Sequence, residues 1–328
     1  MYYKYDDGIF AVDSHYLRKG NAAVYILRDS NSAALVETAN NASLPYILDA
    51  MNELSVRKED VEYIFITHVH LDHAGGAGSY IKEFPNARIV IHPLGAPHLI
   101  DPQRIVAAAS EVYGADWVKS LYGEIIPVDR NRIIAAEDGQ TINMKSRNII
   151  CLATPGHARH HMAFFDEKHS AMFTGDALGS SWPEMNAING RWIIPSTAPM
   201  QFDPGDMHSS IDKIARFKPQ KVYLTHFGLL ENLSEAAEEL HRDIDKYVFE
   251  TEKLNGNEEK IREYLLNLYT KTASLYGIKN PREYVLNECK ILLQLNPMGL
   301  EAWYRHRSER PYRKTLTFKS REFALFQN

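Results

Sequence analysis

Four side chains of the kinds that bind metal ions lie within six consecutive positions of the sequence: His68, His70, Asp72 and His73. They follow the almost continuous apolar run VEYIFIT, which is typical of a buried strand, and they precede the glycines at 75–76. Residues two apart in extended backbone face the same side, so His68 and His70 can face one cation. After a turn of the chain, Asp72 and His73 can face a second cation.

This pattern has a clear chemical meaning. Neutral imidazole and carboxylate ligands suit zinc, iron or manganese. A bound cation lowers the pKa of water to about 7, and two cations about 3.5–4 Å apart can also polarise a substrate oxygen. The motif therefore predicts hydrolysis of a carbonyl or phosphoryl centre. The alternative interpretation is an ordinary loop in which histidines cluster by chance.

The segment THVHLDHAGG resembles the HxHxDH signature of the metallo-β-lactamase superfamily. Three shorter motifs follow in the order of that family: ATPGH ending at His157, FTGDAL with Asp176, and LTHFG with His226. Each of them comes after a predicted strand, and the resemblance covers about residues 8 to 230. It implies an α/β fold, the four-layer αββα sandwich of that superfamily, with a C-terminal helical extension.

The resemblance also implies a dinuclear site with two divalent metal ions, expected to be zinc, with iron or manganese as alternatives. Seven side chains would hold the metals: His68, His70, Asp72, His73, His157, Asp176 and His226. The HxH pair and His157 would bind the first ion, and the following Asp–His pair and His226 would bind the second. Asp176 would bridge the two ions, and Asp72 and Asp176 would be the catalytic carboxylates.

Two more histidines follow the second motif in GHARHHMAFF. Many members of the superfamily have a GHxxGH-like sequence here, and His161 falls on its second histidine, whereas His160 replaces the glycine. We predict that His161 supports a ligand. His160, Trp182 and Trp192 are predicted to line the substrate pocket, and packing in the core is the alternative for all of them.

The elements that must position these residues are predicted from periodicity. The runs GIFAVDS, AAVYILR and SAALVET predict an antiparallel meander. Helices are predicted at SLPYILDAMNEL, at residues 74–83, at MHSSIDKIARF and in an insert over about 102–121. The remaining strands are predicted at ARIVIHP, EIIPV, TINM, NIICLAT, MAFFD, SAMFTGD and KVYLTH.

From about residue 232 the pattern is helical throughout. Asn280 and Pro281 mark the start of one of these helices as an N-cap residue followed by a proline at the first helical position. We predict a domain over residues 1–230, helices over 231–304 packed on the core near the active site, and a basic tail over 305–328. This tail is predicted to be flexible, a surface extension or a docked strand, and the helices have core completion or a homodimer contact as alternatives.

Composition excludes several classes of function. The net charge of -5 gives no overall positive field that would attract nucleic acid, and no apolar run is long enough to span a bilayer. The two cysteines, Cys151 and Cys289, are interpreted as reduced thiols, because so few in so long a chain form no disulfide framework. We expect a cytoplasmic protein that binds a small-molecule substrate and no nucleic acid or membrane.

True β-lactamases of this superfamily commonly keep a cysteine where this chain has Asp176. The aspartate resembles instead the thioesterase, lactonase and phosphodiesterase branches, including glyoxalase II and the quinolone-response thioesterase. The leading prediction is a hydrolase of a thioester, ester or lactone. The alternatives are a phosphodiesterase, a diiron redox or oxygen-binding protein, and a binding protein whose metals are structural. The diiron relatives usually have Glu where this chain has His70.

Overall fold

The computed structural model describes residues 2–6, 8–187 and 190–307. From position 308 onward, the predicted basic tail lies outside the described residues. The chain forms two compact units. The first unit contains the described residues of 1–153, 160–175 and 219–229, and the second contains those of 154–159, 176–218 and 230–328.

The strands build two mixed sheets and one short hairpin. In chain order they are β1 (Tyr2–Asp6), β2 (Ile9–Asp13), β3 (Ala23–Asp29), β4 (Ser32–Val36), β5 (Val61–Phe65), β6 (Arg88–Ile91), β7 (Ile133–Ala135), β8 (Thr141–Asn143), β9 (Asn148–Ala153), β10 (Met162–Asp166), β11 (Ala171–Phe173), β12 (Asn186–Ala187), β13 (Gly190–Arg191), β14 (Lys221–Leu224) and β15 (Gly228–Leu230). The first sheet has the order β1-β2-β3-β4-β5-β6-β7, and the second has β15-β14-β11-β10-β9-β8. Pairing is antiparallel from β1 to β4 and parallel from β4 to β7.

The antiparallel meander is confirmed as β2, β3 and β4. The prediction of a strand at EIIPV is wrong, because residues 124–128 are irregular and the next strand is β7. The backbone of this segment packs closely on a helix instead: a side chain at Gly78 would meet the carbonyl oxygen of Ile126 at 2.1 Å. Pro127 also lacks the N–H that a strand would use in a ladder.

The sandwich of the first unit forms because its strands bury both faces. Alternate residues of a strand point to opposite sides of the sheet, and in β2 Ile9 joins one core cluster while Phe10 joins another. The cluster that contains Ile9 also contains side chains of the second sheet. Phe65 of β5 lies against Phe164 of β10 with ring centroids 5.1 Å apart. Apolar residues therefore fill the space between the sheets, as in other sandwiches.

The described residues also form α-helices of 4 to 21 residues. They are α1 (Leu44–Glu53), α2 (Leu71–Ala74), α3 (Ala77–Glu83), α4 (Ala96–Ile100), α5 (Gln103–Tyr113), α6 (Ala115–Tyr122), α7 (Pro204–Arg216), α8 (Leu233–Lys253), α9 (Glu258–Leu275), α10 (Pro281–Glu288) and α11 (Lys290–His306). The predicted C-terminal helices are confirmed as α8 to α11. Every helix within the described residues is too short or too polar to cross a bilayer.

The helical insert of the first unit is divided in two at Gly114, whose φ of 90° favours glycine. Every residue of α5 keeps some exposure to solvent, whereas α6 buries Val118 and Tyr122. The end of α6 is tied to the loop after β4. The side-chain amide of Asn40 donates to the carbonyl oxygen of residue 121, and that of Asn41 donates to those of residues 122 and 124, at 2.7–3.0 Å. The insert is therefore held mainly at its C-terminal end.

A buried ion pair beside the ends of β3 and β10 connects the two sheets. The Arg147 guanidinium, 1% exposed, donates to Asp166 at 2.5 Å and to the carbonyl oxygens of Gly8 and Arg28 at 2.8 and 3.0 Å. We expect Arg147→Ala to lower the free energy of unfolding by about 3–5 kcal/mol, because it leaves the Asp166 charge buried without its main partner. Urea unfolding followed by circular dichroism would measure the change.

The matched control is Arg57→Ala, which removes an ion pair with Asp60 in which the arginine side chain is 70% exposed. A surface pair of this kind is worth less than about 1 kcal/mol. Equal losses in the two variants would contradict the role assigned to Arg147.

Candidate metal centre

The HxHxDH segment leaves β5 and enters α2 without a long loop. His68 is fully buried, and its Nε2 lies 2.8 Å from Nδ1 of His70. His70 is the N-cap residue of α2, so Asp72 and His73 fall in the first turn of that helix. The chain thus changes from extended to helical between the two pairs of side chains, as expected from the sequence.

A second group forms around Asp72 in the same unit. Its Oδ2 atom lies 3.6 Å from Nε2 of His73 and 3.4 Å from Nε2 of His226. The ligand atoms of these three residues lie within 4.8 Å of one another, a spacing that could hold a metal ion. His226 reaches this point because it follows β14, two positions after the end of the strand.

The orientation of the two imidazoles tests whether this group fits a cation. Nδ1 of His73 lies 2.9 Å from Oε1 of Glu37, and Nδ1 of His226 lies 2.9 Å from the carbonyl oxygen of Asn21. Both partners are acceptors, so each Nδ1 carries the hydrogen and each Nε2 presents a lone pair. Two lone pairs facing a carboxylate make a wholly electron-rich set of donors. The residues therefore fit a divalent metal ion, held by imidazoles that are oriented through their second nitrogen.

Glu37 is the buried carboxylate that organises this unit of the site. It accepts hydrogen bonds from Oγ1 of Thr67 at 2.6 Å, from Oγ1 of Thr225 at 3.1 Å and from Nδ1 of His73. The Thr67 hydroxyl lies 3.0 Å from Nδ1 of His68. One side chain thus connects two segments that are far apart in the sequence, residues 67–73 and Thr225. Sequence reasoning missed Glu37, although an acidic residue directly after the fully buried strand β4 was a usable signal.

The second unit holds the other two predicted ligands next to each other. Nε2 of His157 lies 3.5 Å from Oδ2 of Asp176. Ser196 contacts both of them: its carbonyl oxygen accepts from Nδ1 of His157 at 3.0 Å, and its hydroxyl donates to Oδ2 of Asp176 at 3.1 Å. His157 therefore has the same tautomer as His73 and His226. The turn before it requires Gly156, whose φ is 128° and where a side chain would meet the backbone of Met207 at 2.4 Å.

The two other histidines of GHARHHMAFF lie beside the HxH pair in the first unit. His161 is fully buried, with its ring centroid 5.0 Å from that of His68. A side chain at Gly175 would come within 2.6 Å of Nε2 of His161, which explains the glycine before Asp176. The ring of His160 lies 6.1 Å from that of His70, and this residue is 4% exposed.

Trp182 and Trp192 are buried in the second unit, and the ring of Trp192 packs edge-on against Tyr269 of α9 at 6.0 Å. This contact accounts for Trp192 as a packing residue of the helices. A role of the two tryptophans in a substrate pocket, like that of His160, stays a prediction.

Tyrosine hydroxyls surround the Asp72 side of the site. Tyr16 and Tyr122 share a buried hydrogen bond of 2.5 Å. Burial raises the pKa of both tyrosines well above the ordinary value, and the charge of Asp72 adds to the rise. Burial and the same charge also raise the pKa of Tyr113. These hydroxyls stay protonated at neutral pH and can donate hydrogen bonds.

Comparison with known proteins places the fold. The chain is 26% identical over 176 residues to a metallo-beta-lactamase fold-containing protein, ST1585, of Sulfurisphaera tokodaii, a match over 52% of this chain and 62% of that protein. It is 22% identical over 211 residues to the uncharacterized protein YobT of Bacillus subtilis, covering 64% of this chain and 85% of that one. Thus less than two thirds of ST1585 is matched.

Solved structures show the same architecture. The metallo-beta-lactamase family protein TTHA1429 of Thermus thermophilus has a TM-score of 0.61 at 20% identity, over 93% of this chain and 94% of that one. The ST1585 structure has a TM-score of 0.58 at 22% identity, over 72% of this chain and 85% of that one. The predicted fold class, mixed sheets with flanking helices followed by C-terminal helices, is confirmed.

The family match covers most of the chain and includes every predicted ligand. The description "Metallo-beta-lactamase superfamily" matches residues 17–226, which run from the loop after β2 to the last predicted ligand, His226. This range is more than half of the 328 residues. The chain belongs to the metallo-β-lactamase superfamily.

Proposed function

We propose that this protein is a dinuclear metal-dependent hydrolase that cleaves a thioester, ester or lactone of a small substrate. The observation that carries the proposal is the uniform orientation of its histidines. His73, His157 and His226 each direct Nδ1 to an oxygen acceptor and leave Nε2 beside an aspartate. An imidazole whose role was only to pack in the core would have no reason to adopt this arrangement three times.

The proposed ligand sets are those of the superfamily. His68, His70 and His157 would bind the first ion, the second would be bound by Asp72, His73 and His226, and Asp176 would bridge them. A bound divalent cation supplies Lewis acidity, which lowers the pKa of a water molecule to about 7 and polarises a carbonyl oxygen. Zinc is the proposed metal, and iron and manganese suit the same ligands.

The residues of the chain have distinct tasks in this scheme. The Asp72 side chain is 27% exposed, whereas His73 is buried, so this carboxylate can accept a proton from water that enters from solvent. Glu37 fixes the orientation of His73, and Ser196 fixes those of His157 and Asp176. Tyr16 and Tyr122 lie on the Asp72 side; one of these hydroxyls donates to the other, which leaves one hydroxyl hydrogen for a developing negative charge.

The substrate class follows from what the chain has and lacks in its sequence. Asp176 stands where true β-lactamases of the superfamily commonly have cysteine, and the two cysteines occupy other positions, Cys151 in β9 and Cys289 after α10. Burial raises the pKa of the Cys151 thiol to about 12, so it is no nucleophile at neutral pH. We therefore propose a thioester, ester or lactone substrate rather than a β-lactam.

The test is elemental analysis of the purified protein, followed by assays with thioester, ester, lactone and phosphodiester substrates. We expect about two metal ions per chain and hydrolysis of an acyl substrate that is lost with a chelator and restored by zinc. Metal-replete protein without hydrolysis of any acyl substrate would contradict the proposal. Turnover of phosphodiesters alone would favour the phosphodiesterase alternative, and an oxygen-sensitive optical band of the iron-loaded protein would favour the diiron one.

A further inference from the structure

Asn296 is a buried polar residue in α11, far along the chain from the metal-binding motifs. It is 1% exposed and stands directly before Pro297 within the helix. Its amide is fully used: Oδ1 accepts from the backbone N–H of Thr197 at 2.9 Å, and Nδ2 donates to the carbonyl oxygen of Pro195 at 2.9 Å and to the hydroxyl of Tyr269 at 2.8 Å. Because a backbone N–H can only donate and a carbonyl can only accept, the orientation of this amide is fixed.

The two backbone partners of Asn296 flank a single residue, Ser196. The amide accepts from the residue after Ser196 and donates to the residue before it, which is the pattern that a neighbouring strand would supply. Residues 195–198 are not part of a ladder, so the side chain of α11 takes the place of a strand partner. The Thr197 hydroxyl adds bonds to Oδ1 and to the carbonyl oxygen of Asn296 at 3.1 and 2.9 Å.

A close approach of the helix backbone supports the same contact. A side chain at Gly299 would come within 2.7 Å of the carbonyl oxygen of Thr197 and 2.9 Å of that of Ala198. Gly299 lies one turn after Asn296 and so faces the same segment. The helix therefore holds the backbone on both sides of Ser196. A residue larger than glycine does not fit at position 299.

Ser196 is the residue that contacts both proposed ligands of the second unit, through its carbonyl oxygen to His157 and its hydroxyl to Asp176. We propose that Asn296 is a positioning residue for the metal site: it fixes the backbone around Ser196 and thereby the orientation of His157 and Asp176. This inference rests on the metal-binding part of the proposed function. It assigns α11 a task beyond completing the core.

The experiment is a titration of the metal-free, full-length protein with Co2+, followed by its visible absorption, for wild type, Asn296→Ala and Asn296→Asp. Aspartate keeps the acceptor for Thr197 but removes both donated bonds and places a charge against the Pro195 carbonyl. We expect both variants to bind Co2+ about tenfold more weakly, as for other groups that orient a ligand, and to change the shape of the absorption band. Thr197→Val should show a smaller loss in the same direction.

The control separates positioning from general stability. Val285→Ala truncates a fully buried side chain of α10 that lies in the same helical region and has no polar side-chain atom with which to bond residues 195–198. We expect this variant to lower the melting temperature while keeping the wild-type affinity and absorption band. Asn267→Ala, an exposed asparagine of α9, should resemble wild type in both respects.

The inference is overturned if the Asn296 variants bind Co2+ with wild-type affinity and spectrum, or if Val285→Ala weakens binding to the same extent. Should neither Asn296 variant fold, Thr197→Val decides by the same criteria. A wild-type protein that binds Co2+ but hydrolyses no substrate would contradict the proposed function and leave this inference standing. An active enzyme whose Asn296 variants bind Co2+ as wild type does would support the proposed function and overturn this inference.

Discussion

Alanine in place of Asp72 is expected to lower kcat for the acyl substrate on the order of 10³-fold, because it removes both a ligand and the group that can accept a proton. The free energy of unfolding should change by less than about 1 kcal/mol, because the Asp72 side chain is 27% exposed and lies at the end of a short helix. Steady-state kinetics at saturating metal, together with urea unfolding, would measure the two effects.

Asp116→Ala is the matched control for this variant. Asp116 is an exposed aspartate in the first turn of α6, as Asp72 is in the first turn of α2. We expect wild-type kcat and KM for it. An Asp72→Ala enzyme that kept its turnover would rule out a catalytic task for this carboxylate.

Glu37→Gln is expected to weaken both metal binding and stability. The side chains of Thr67, Thr225 and His73 all donate to Oε1, and the backbone N–H of Thr67 donates to Oε2, so the NH2 group of glutamine faces a donor in either orientation and buried hydrogen bonds are lost. We expect metal affinity to fall by 10- to 100-fold, as for other partners of metal-bound histidines. The free energy of unfolding should fall by about 1–3 kcal/mol, the cost of a buried polar group left without its bond.

Competition with a chromophoric chelator would give the metal affinity, and urea unfolding of the metal-free protein would give the stability. The control is Glu53→Gln at the exposed end of α1, for which neither quantity should change. If Glu37→Gln bound metal as wild type does, the carboxylate of Glu37 would have no part in holding the metal ligands.

Sequence patterns sufficed to predict the strands that precede the proposed ligands. Each motif histidine or aspartate follows a strand that its apolar run predicts: β5 before His68, β9 before His157, β11 before Asp176 and β14 before His226. In a mixed sheet the ends of strands are natural positions for ligands, so local reading and resemblance led to the same residues. The helices α8 and α9 were also predictable, because apolar residues recur at helical spacing along one face of each.

The contacts that hold the ligands could not be predicted in this way. Glu37 meets Thr225 across 188 positions, and Asn296 meets Thr197 across 99. The hydrophobic pattern around one residue does not reveal its distant partner, because these hydrogen bonds form only when the chain has folded. The prediction of a strand at EIIPV was wrong for a related reason. Its apolar residues have the composition of a strand, but they pack on neighbouring helices and do not pair in a sheet.

The insert of α5 and α6 has a consequence for local motion. Leu71, the first residue of α2, packs in one cluster with Val118 and Tyr122 of α6, whereas α5 contributes only partly exposed side chains to it. Local opening costs least where few groups are buried, so α5 can be displaced while α6 stays tied to Asn40 and Asn41. Substitutions in α5 would then change this local motion and leave the predicted metal ligands unchanged.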